Sequence, residues 1–331
     1  MFRTLFAAAA LSALIAGSAL AAEIKPAVVY DTGGKHDKSF NEGAFNGAEK
    51  FKADTGTAYS DFEITNDSQR EQALRKFAER GFSPIVAIGF SHAQAVEKVA
   101  GEFPNVQFAI IDMVVDKPNV ASIVFKEEEG SYLVGVLAAL ASKSGKVGFV
   151  GGMDIPLIRK FACGYVGGVK SVKADDEVFQ NMTGTTGAAW NDPVKGGELA
   201  KSQFDRGADV VYHAAGGTGL GVLQAAADAG KLGIGVDSNQ NMLHPGKVLT
   251  SMLKRVDVAT YNVFKAAQDG TFKPGLTVLG FAEGGVGWAL DDNNKALITP
   301  EMTSVVQKAE ADIKSGAVKV HDYMADSACP Y

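Results

Sequence analysis

VVYDTGGKHDKSFNEGAF, residues 28–45, is the stretch whose reading decides the fold. Ala27-Val28-Val29-Tyr30, following Pro26, is a β-favouring apolar run with the character of a buried first strand. Asp31 to Ser39 is polar and rich in glycine, and from Phe40 the apolar residues Phe40, Ala44, Ala48 and Phe51 recur at helical spacing. A strand that ends in such a turn and enters a helix places the turn at the carboxyl edge of a sheet, where open α/β proteins bind ligands. Two carboxylates, an aromatic ring and an amide there suit a flat, polar, uncharged ligand. The plainer alternative is that Ser39 caps the helix, Phe40 packs in the core and the acids are solvated.

Outward from this turn the same alternation continues. Helix is predicted over 42–53, 68–81 and 93–103, and strand over 58–64, 84–89, 107–112 and 120–125. PIVAIG at 84–89 and QFAIID at 107–112 are continuous apolar runs, the pattern of strands buried on both faces of a parallel sheet. KEEEG at 126–130 turns the chain polar before a helix over 131–142, and KVGFVG at 146–151 opens a second lobe. That lobe repeats the pattern with helices over 157–174, 193–206, 219–230, 257–269 and 300–315. Its strands are predicted around Phe179 and over 209–213, 233–237, 248–253, 276–281 and 288–290. No internal repeat shows at the residue level.

Before the first strand, Met1-Phe2-Arg3, the apolar run Leu5 to Leu20 and Ala19-Leu20-Ala21 have the form of a cleaved leader, with cleavage just before or after Ala22. The mature protein is then expected to be soluble in an extracytoplasmic space, a periplasm. A net charge of -6 without a basic stripe argues against a nucleic-acid partner. A chain of 331 residues is large for one core, which points to two lobes. Cys163 and Cys329 are the two cysteines, and the sequence leaves open whether they pair.

The unusual polar residues gather at strand carboxyl ends in both halves: Asp31, Asp37 to Asn41, Gly89-Phe90 and Asp112, then Asp154, Trp190, Gly216, Asp237 and Lys254. Two lobes facing each other would bring these edges into one cleft. Trp190, one of two tryptophans, sits in a polar loop where an aromatic anchors a flat ring by stacking or lids its own lobe. Asp237 could accept from a vicinal diol or could be an exposed turn residue, and Lys254 has an equally plain surface reading. Enzymatic patterns are missing: the five histidines have no HExxH spacing, no GxSxG elbow occurs, and GGTGLG at 216–221 fits neither phosphate-loop pattern. No cofactor is implied.

The segments DTGGKHDKSFNEGAF (31–45), VAIGF (86–90), FAIID (108–112), GGMDIPLIRKFACGY (151–165), WNDP (190–193) and VDSNQ (236–240) together resemble the basic membrane protein family of ABC-transporter substrate-binding proteins, of the purine nucleoside receptor type. The resemblance implies a type I periplasmic-binding fold, two doubly wound parallel-sheet lobes joined by a three-crossing hinge. Residues 23–125 with 254–284 would form the N-terminal lobe, and 126–253 with 285–331 the C-terminal lobe. It further implies a monomer that binds a nucleoside such as adenosine, guanosine or inosine, delivers it to a membrane ABC permease and catalyses nothing. Carried over, Phe40 and Trp190 sandwich the base, Asp37, Asn41 and Asp112 bond its edge, and Gly216, Asp237 and Lys254 hold the ribose, with Lys254 neutralising Asp237. Asp31, Ser39, Phe90 and Phe161 complete the expected ligand-binding set. Trp190 stands where relatives usually carry Phe, and the lipid-attachment Cys of many relatives is missing. Two rivals stand beside this reading: a binding protein for a sugar or free nucleobase, and a secreted nucleoside hydrolase, which would need an acidic metal cluster or a placed general acid.

Overall fold

The structure, a computed structural model, describes residues 24–331; the expected leader lies outside the described residues. The first half runs β1 (Ala27–Tyr30), α1 (Phe40–Thr55), β2 (Ser60–Glu63), α2 (Gln69–Glu79), β3 (Ile85–Ile88), α3 (Ala93–Glu102), β4 (Phe108–Ile111) and β5 (Val120–Phe125). The second runs α4 (Glu127–Ala141), β6 (Lys146–Met153), α5 (Pro156–Val172), β7 (Glu177–Gly184), α6 (Pro193–Asp205), β8 (Val210–Ala214), α7 (Gly219–Asp228), β9 (Leu232–Asp237) and β10 (Val248–Lys254). The chain ends with α8 (Val256–Gln268), β11 (Gly275–Leu279), β12 (Val286–Trp288) and α9 (Pro300–Ser315).

These strands form two sheets of the same plan, ordered β11-β5-β4-β3-β1-β2 and β12-β10-β9-β8-β6-β7. Every pairing is parallel except β10 with β12. Period-two alternation along each strand splits the apolar residues between two helical layers. In the first sheet Val29, Ala87 and Ile110 face the α2/α3 layer, while Val28, Val86 and Ala109 face a cluster holding Phe51 of α1 and Phe264 of α8. This is the type I periplasmic-binding fold. The chain passes between the sheets three times: after Phe125, after Lys254, and between Leu279 and Val286.

One local difference from the sequence reading matters, together with a pairing that the sequence leaves open. Helix α4 begins at Glu127 and not at 131, because three glutamates occupy its first turn, where the helix dipole favours negative charge. Glu127 and Glu128 are nevertheless buried, which a hydropathy pattern cannot register. Cys163 and Cys329 are joined in a disulfide, pinning the C-terminal tail to α5. The tail is also held by the Tyr331 hydroxyl, which accepts from the His321 amide at 3.0 Å.

Candidate functional site

The carboxyl ends of the two sheets face each other across a cleft of about 590 Å³, part of it continuous with solvent. Eleven of the twelve residues expected from sequence line it; Ser39 does not. Ser39 is fully buried behind the wall, and its Oγ donates to Asp237 Oδ2 across the lobes at 2.5 Å.

The turn after β1 is built by its own side chains. Asp37, not Ser39, caps α1: its carboxylate accepts from the amides of Ser39 (2.8 Å), Asn41 (3.0 Å) and Glu42 (3.1 Å). Asn41 Oδ1 accepts from the Asp31 amide at 3.1 Å, and its Nδ2 donates to the Asp31 and Gly34 carbonyls. The polar atoms of Asp37 and Asn41 therefore hold the turn in shape. Asp31 is paired with the buried Arg70 at 2.6 Å, a partner sequence reasoning missed. Behind it, Gly89 turns at φ +107°, and a Cβ there would lie 2.5 Å from Asp31 Oδ2, so only glycine allows the approach.

Asp112 directly follows β4 and Asp237 ends β9, equivalent strands that stand third from the same end of each sheet. Both take left-handed backbone conformations, φ 71° and 62°, uncommon for residues other than glycine and frequent at functional sites. Lys254, the last residue of β10, does not pair with Asp237 as expected. Its Nζ donates to Asp112 Oδ2 at 2.6 Å and lies 2.9 Å from Glu127 Oε1. The rings of Phe40, Phe125 and Phe161 surround the ammonium at 5.1, 5.1 and 5.5 Å, which favours a desolvated cation. Asp112 Oδ1 is buried without a partner. The chain of charges continues outward: Lys160 sits 3.1 Å from Glu127 and 3.2 Å from Glu128, and donates to the Phe125 carbonyl at 2.8 Å. Sequence reasoning missed Glu127 and Lys160; the KEEEG run was the available signal for the glutamate. It also missed the apolar walls, Leu157, Ile158, Ala214 and Val236.

Phe40, Phe90 and Trp190 are half-buried, on lobes that face each other. Trp190 ends a short 3-10 turn, Gly187–Trp190, anchored by Thr218, whose Oγ1 donates to the Ala189 carbonyl (2.8 Å) and accepts from the Asp192 amide (2.7 Å).

Burial sets the proton balance. It pushes Asp37 and Asp237 up to about 6 and Glu128 to about 7. Asp112 also rises, by burial against the opposing pull of Lys254. Burial lowers His92 and His213 to about 4. Burial would lower Lys254 too, but Asp112, Glu127 and Asp237 outweigh it and hold the lysine charged. The four raised carboxyls stabilise the fold fully below their ordinary values, and that contribution is lost as pH rises through about 6 to 7. The two histidines act oppositely: their contribution is complete above the ordinary value of 6.5 and lost as pH falls through about 4. Four groups against two leaves the ligand-free fold more stable at pH 5 than at pH 6, by roughly 1–2 kcal/mol. Urea unfolding at the two pH values measures this; greater stability at pH 6 would show that the buried carboxyls are not held neutral.

Residues 24–322 match the family described as "ABC transporter substrate-binding protein PnrA-like". A protein of Lactococcus lactis named ABC transporter nucleoside-binding protein BmpA is 34% identical over 322 residues, covering 90% of this chain and 89% of its own length. A lipoprotein of Pyrococcus abyssi is 35% identical over 288 residues, covering 82% and 70%. The crystal structure of an ABC transporter solute-binding protein from Aeropyrum pernix superposes with a TM-score of 0.83 at 29% identity, covering 90% of this chain and 93% of that one. No helix among the described residues is long and apolar enough to cross a membrane. With its two-lobed fold and interlobe cleft, the chain belongs to the Bmp family of PnrA-like ABC transporter substrate-binding proteins.

Proposed function

We propose that this protein is a monomeric receptor that binds a purine nucleoside such as adenosine, guanosine or inosine in the interlobe cleft, delivers it to its permease and transforms nothing. The observation that carries the reading is the cleft's composition: aromatic rings from both lobes, Phe40 and Trp190, beside strand-end carboxylates, Asp112 and Asp237. Stacked rings suit a purine, and acceptor-only carboxylates suit N–H and O–H donors of a base edge and a ribose diol. The name of the Lactococcus relative points the same way. In this reading Asp112 Oδ1 takes the base edge, Asp237 with Gly216 takes the ribose, and Lys254 acts through Asp112. Asp37 and Asn41 act as positioning residues. Both cysteines are bonded to each other, which supports an unacylated protein, whereas the Pyrococcus relative is named a lipoprotein.

Closure follows from rotation of residues 23–125 with 254–284 against residues 126–253 with 285–331. Contacts between the lobes, such as Ser39–Asp237 and Gln240–Lys38, exist only when the lobes approach, so a ligand held between them favours the closed state. A thermal-shift panel of nucleosides, bases and sugars tests the class, because a ligand raises the midpoint by mass action. The nucleosides are expected to give the largest shifts, to reduce the radius of gyration in solution scattering, and to remain intact on long incubation. Asp237→Ala is expected to narrow the preference for nucleoside over free base. A larger shift with sugars or bases would transfer the site to the alternative solute class, and released free base would make the protein a hydrolase.

A further inference from the structure

We propose that Gly152 is a specificity-determining residue of the cleft, its missing side chain forming the slot that seats the Trp190 indole; the proposal rests on the nucleoside reading of the site. Gly152 lies near the carboxyl end of β6, in the GGMD run at 151–154. A Cβ built there would fall 2.1 Å from Cζ3, 2.4 Å from Cε3 and 2.9 Å from Cη2 of Trp190. All three belong to the benzene half of the indole. Non-bonded carbons sit about 3.5–4.0 Å apart, so even one methyl at 152 cannot coexist with the ring where it is.

Neither partner can yield by shifting its backbone. On the Gly152 side, Thr183 Oγ1 donates to the carbonyls of Gly151 (2.6 Å) and Gly152 (3.2 Å), fixing the strand end. On the Trp190 side, the two hydrogen bonds of Thr218 fix residues 189 and 192. The side chain must move instead. Gly33 and Gly216 flank the root of the side chain, where an added Cβ would come within 3.8 and 3.9 Å of Trp190 Cβ. Trp190 is packed against its own lobe's core on one side and lines the cleft on the other, so the cleft is the open side. A methyl at 152 therefore drives the indole toward Phe40 and narrows the space for a flat ring. Position 152 sets the width of the cleft, and a tryptophan at 190 requires glycine at 152. A phenylalanine at 190, lacking the fused ring that the methyl would strike, relaxes the requirement.

The test is a double-mutant cycle of Gly152→Ala and Trp190→Phe, with inosine affinity read by calorimetry. Alongside it, Trp190 emission and acrylamide quenching are read without ligand in a Trp288→Phe background, which leaves Trp190 as the one tryptophan of the chain. Gly152→Ala is expected to weaken inosine binding at least about tenfold and to raise Trp190 quenching, while in the Trp190→Phe background it changes affinity less than about threefold, the coupling expected of residues in contact. Equal losses in both backgrounds, or unchanged affinity and quenching, would overturn the proposal. Should Gly152→Ala fail to fold alone, folding of the double variant supports the proposal and failure of both overturns it. If the parent protein binds no nucleoside, the functional reading fails, and the ligand-free quenching alone then decides the role of Gly152.

Discussion

Lys254→Met is expected to destabilise the protein by about 3–5 kcal/mol at pH 7, the usual cost of stranding a buried charge by removing its partner. The substitution leaves Asp112 and Glu127 together in an apolar cage formed by Phe40, Phe125 and Phe161, with Lys160 the remaining cation beside Glu127. Methionine fills the volume of the lysine stem, so the loss reports charge and not packing. Because burial already raises the Asp112 carboxyl, that group can take up a proton as pH falls. The destabilisation should shrink at pH 5, and adding Asp112→Asn and Glu127→Gln should recover much of it. Urea unfolding of the parent and variants at both pH values provides the measurement. A loss below about 1 kcal/mol would mean that the ion chain is solvated and contributes as little as a surface pair. Ligand binding should fail in the same variant, since Asp112 then changes both charge and position.

Phe40→Ala and Trp190→Ala are each expected to weaken nucleoside binding at least tenfold while leaving a folded protein. Ring-on-ring contact contributes about 0.5–1.5 kcal/mol beyond apolar burial, and burial of the base face adds a comparable amount. A tenfold change needs only about 1.4 kcal/mol. Both rings are half-buried at the cleft surface, so their removal opens space already continuous with the cleft and leaves the main cores intact. Calorimetry giving parent affinity for both variants would remove the sandwich from the model of binding.

The strands of the sheets could be read from sequence because a strand covered on both faces must be apolar throughout, as Ile85–Ile88 and Phe108–Ile111 are. The same reading placed Asp112 and Asp237 at carboxyl edges, since a carboxylate directly after such a run has nowhere else to go. What sequence could not supply was partnership. Lys254 and Glu127 are far apart in the chain, and only the packing of β10 against α4 decides that Lys254 meets Asp112 and Glu127 rather than Asp237. The burial of Glu127 and Glu128 was hidden for the same reason: charge pairing, not hydropathy, brings them inside. Ser39 looked like the cap of α1, but Asp37 reaches three amides with two oxygens, and the serine hydroxyl is left to bridge the lobes. The disulfide depended on a Cα–Cα approach of 5.6 Å between residues 166 apart, a quantity no local pattern encodes.

That bond also gives the molecule an unusual response to force. Seized at its two ends, the oxidised chain is a tether joined to a closed ring, with Cys163–Cys329 as the clasp. Strands β1 to β6 lie on the tether, whereas β7 to β12 lie within the ring. The 166-residue separation withholds roughly 550–600 Å of contour length at the extended reach of about 3.3–3.6 Å per residue. β11 belongs to the ring yet completes the first sheet beside β5, so tension on the tether must peel β5 from a strand that cannot follow it. In a single-molecule pull, the oxidised protein should therefore rupture within its N-terminal half and then stop short. Addition of a reductant should release the withheld length as a separate, later extension.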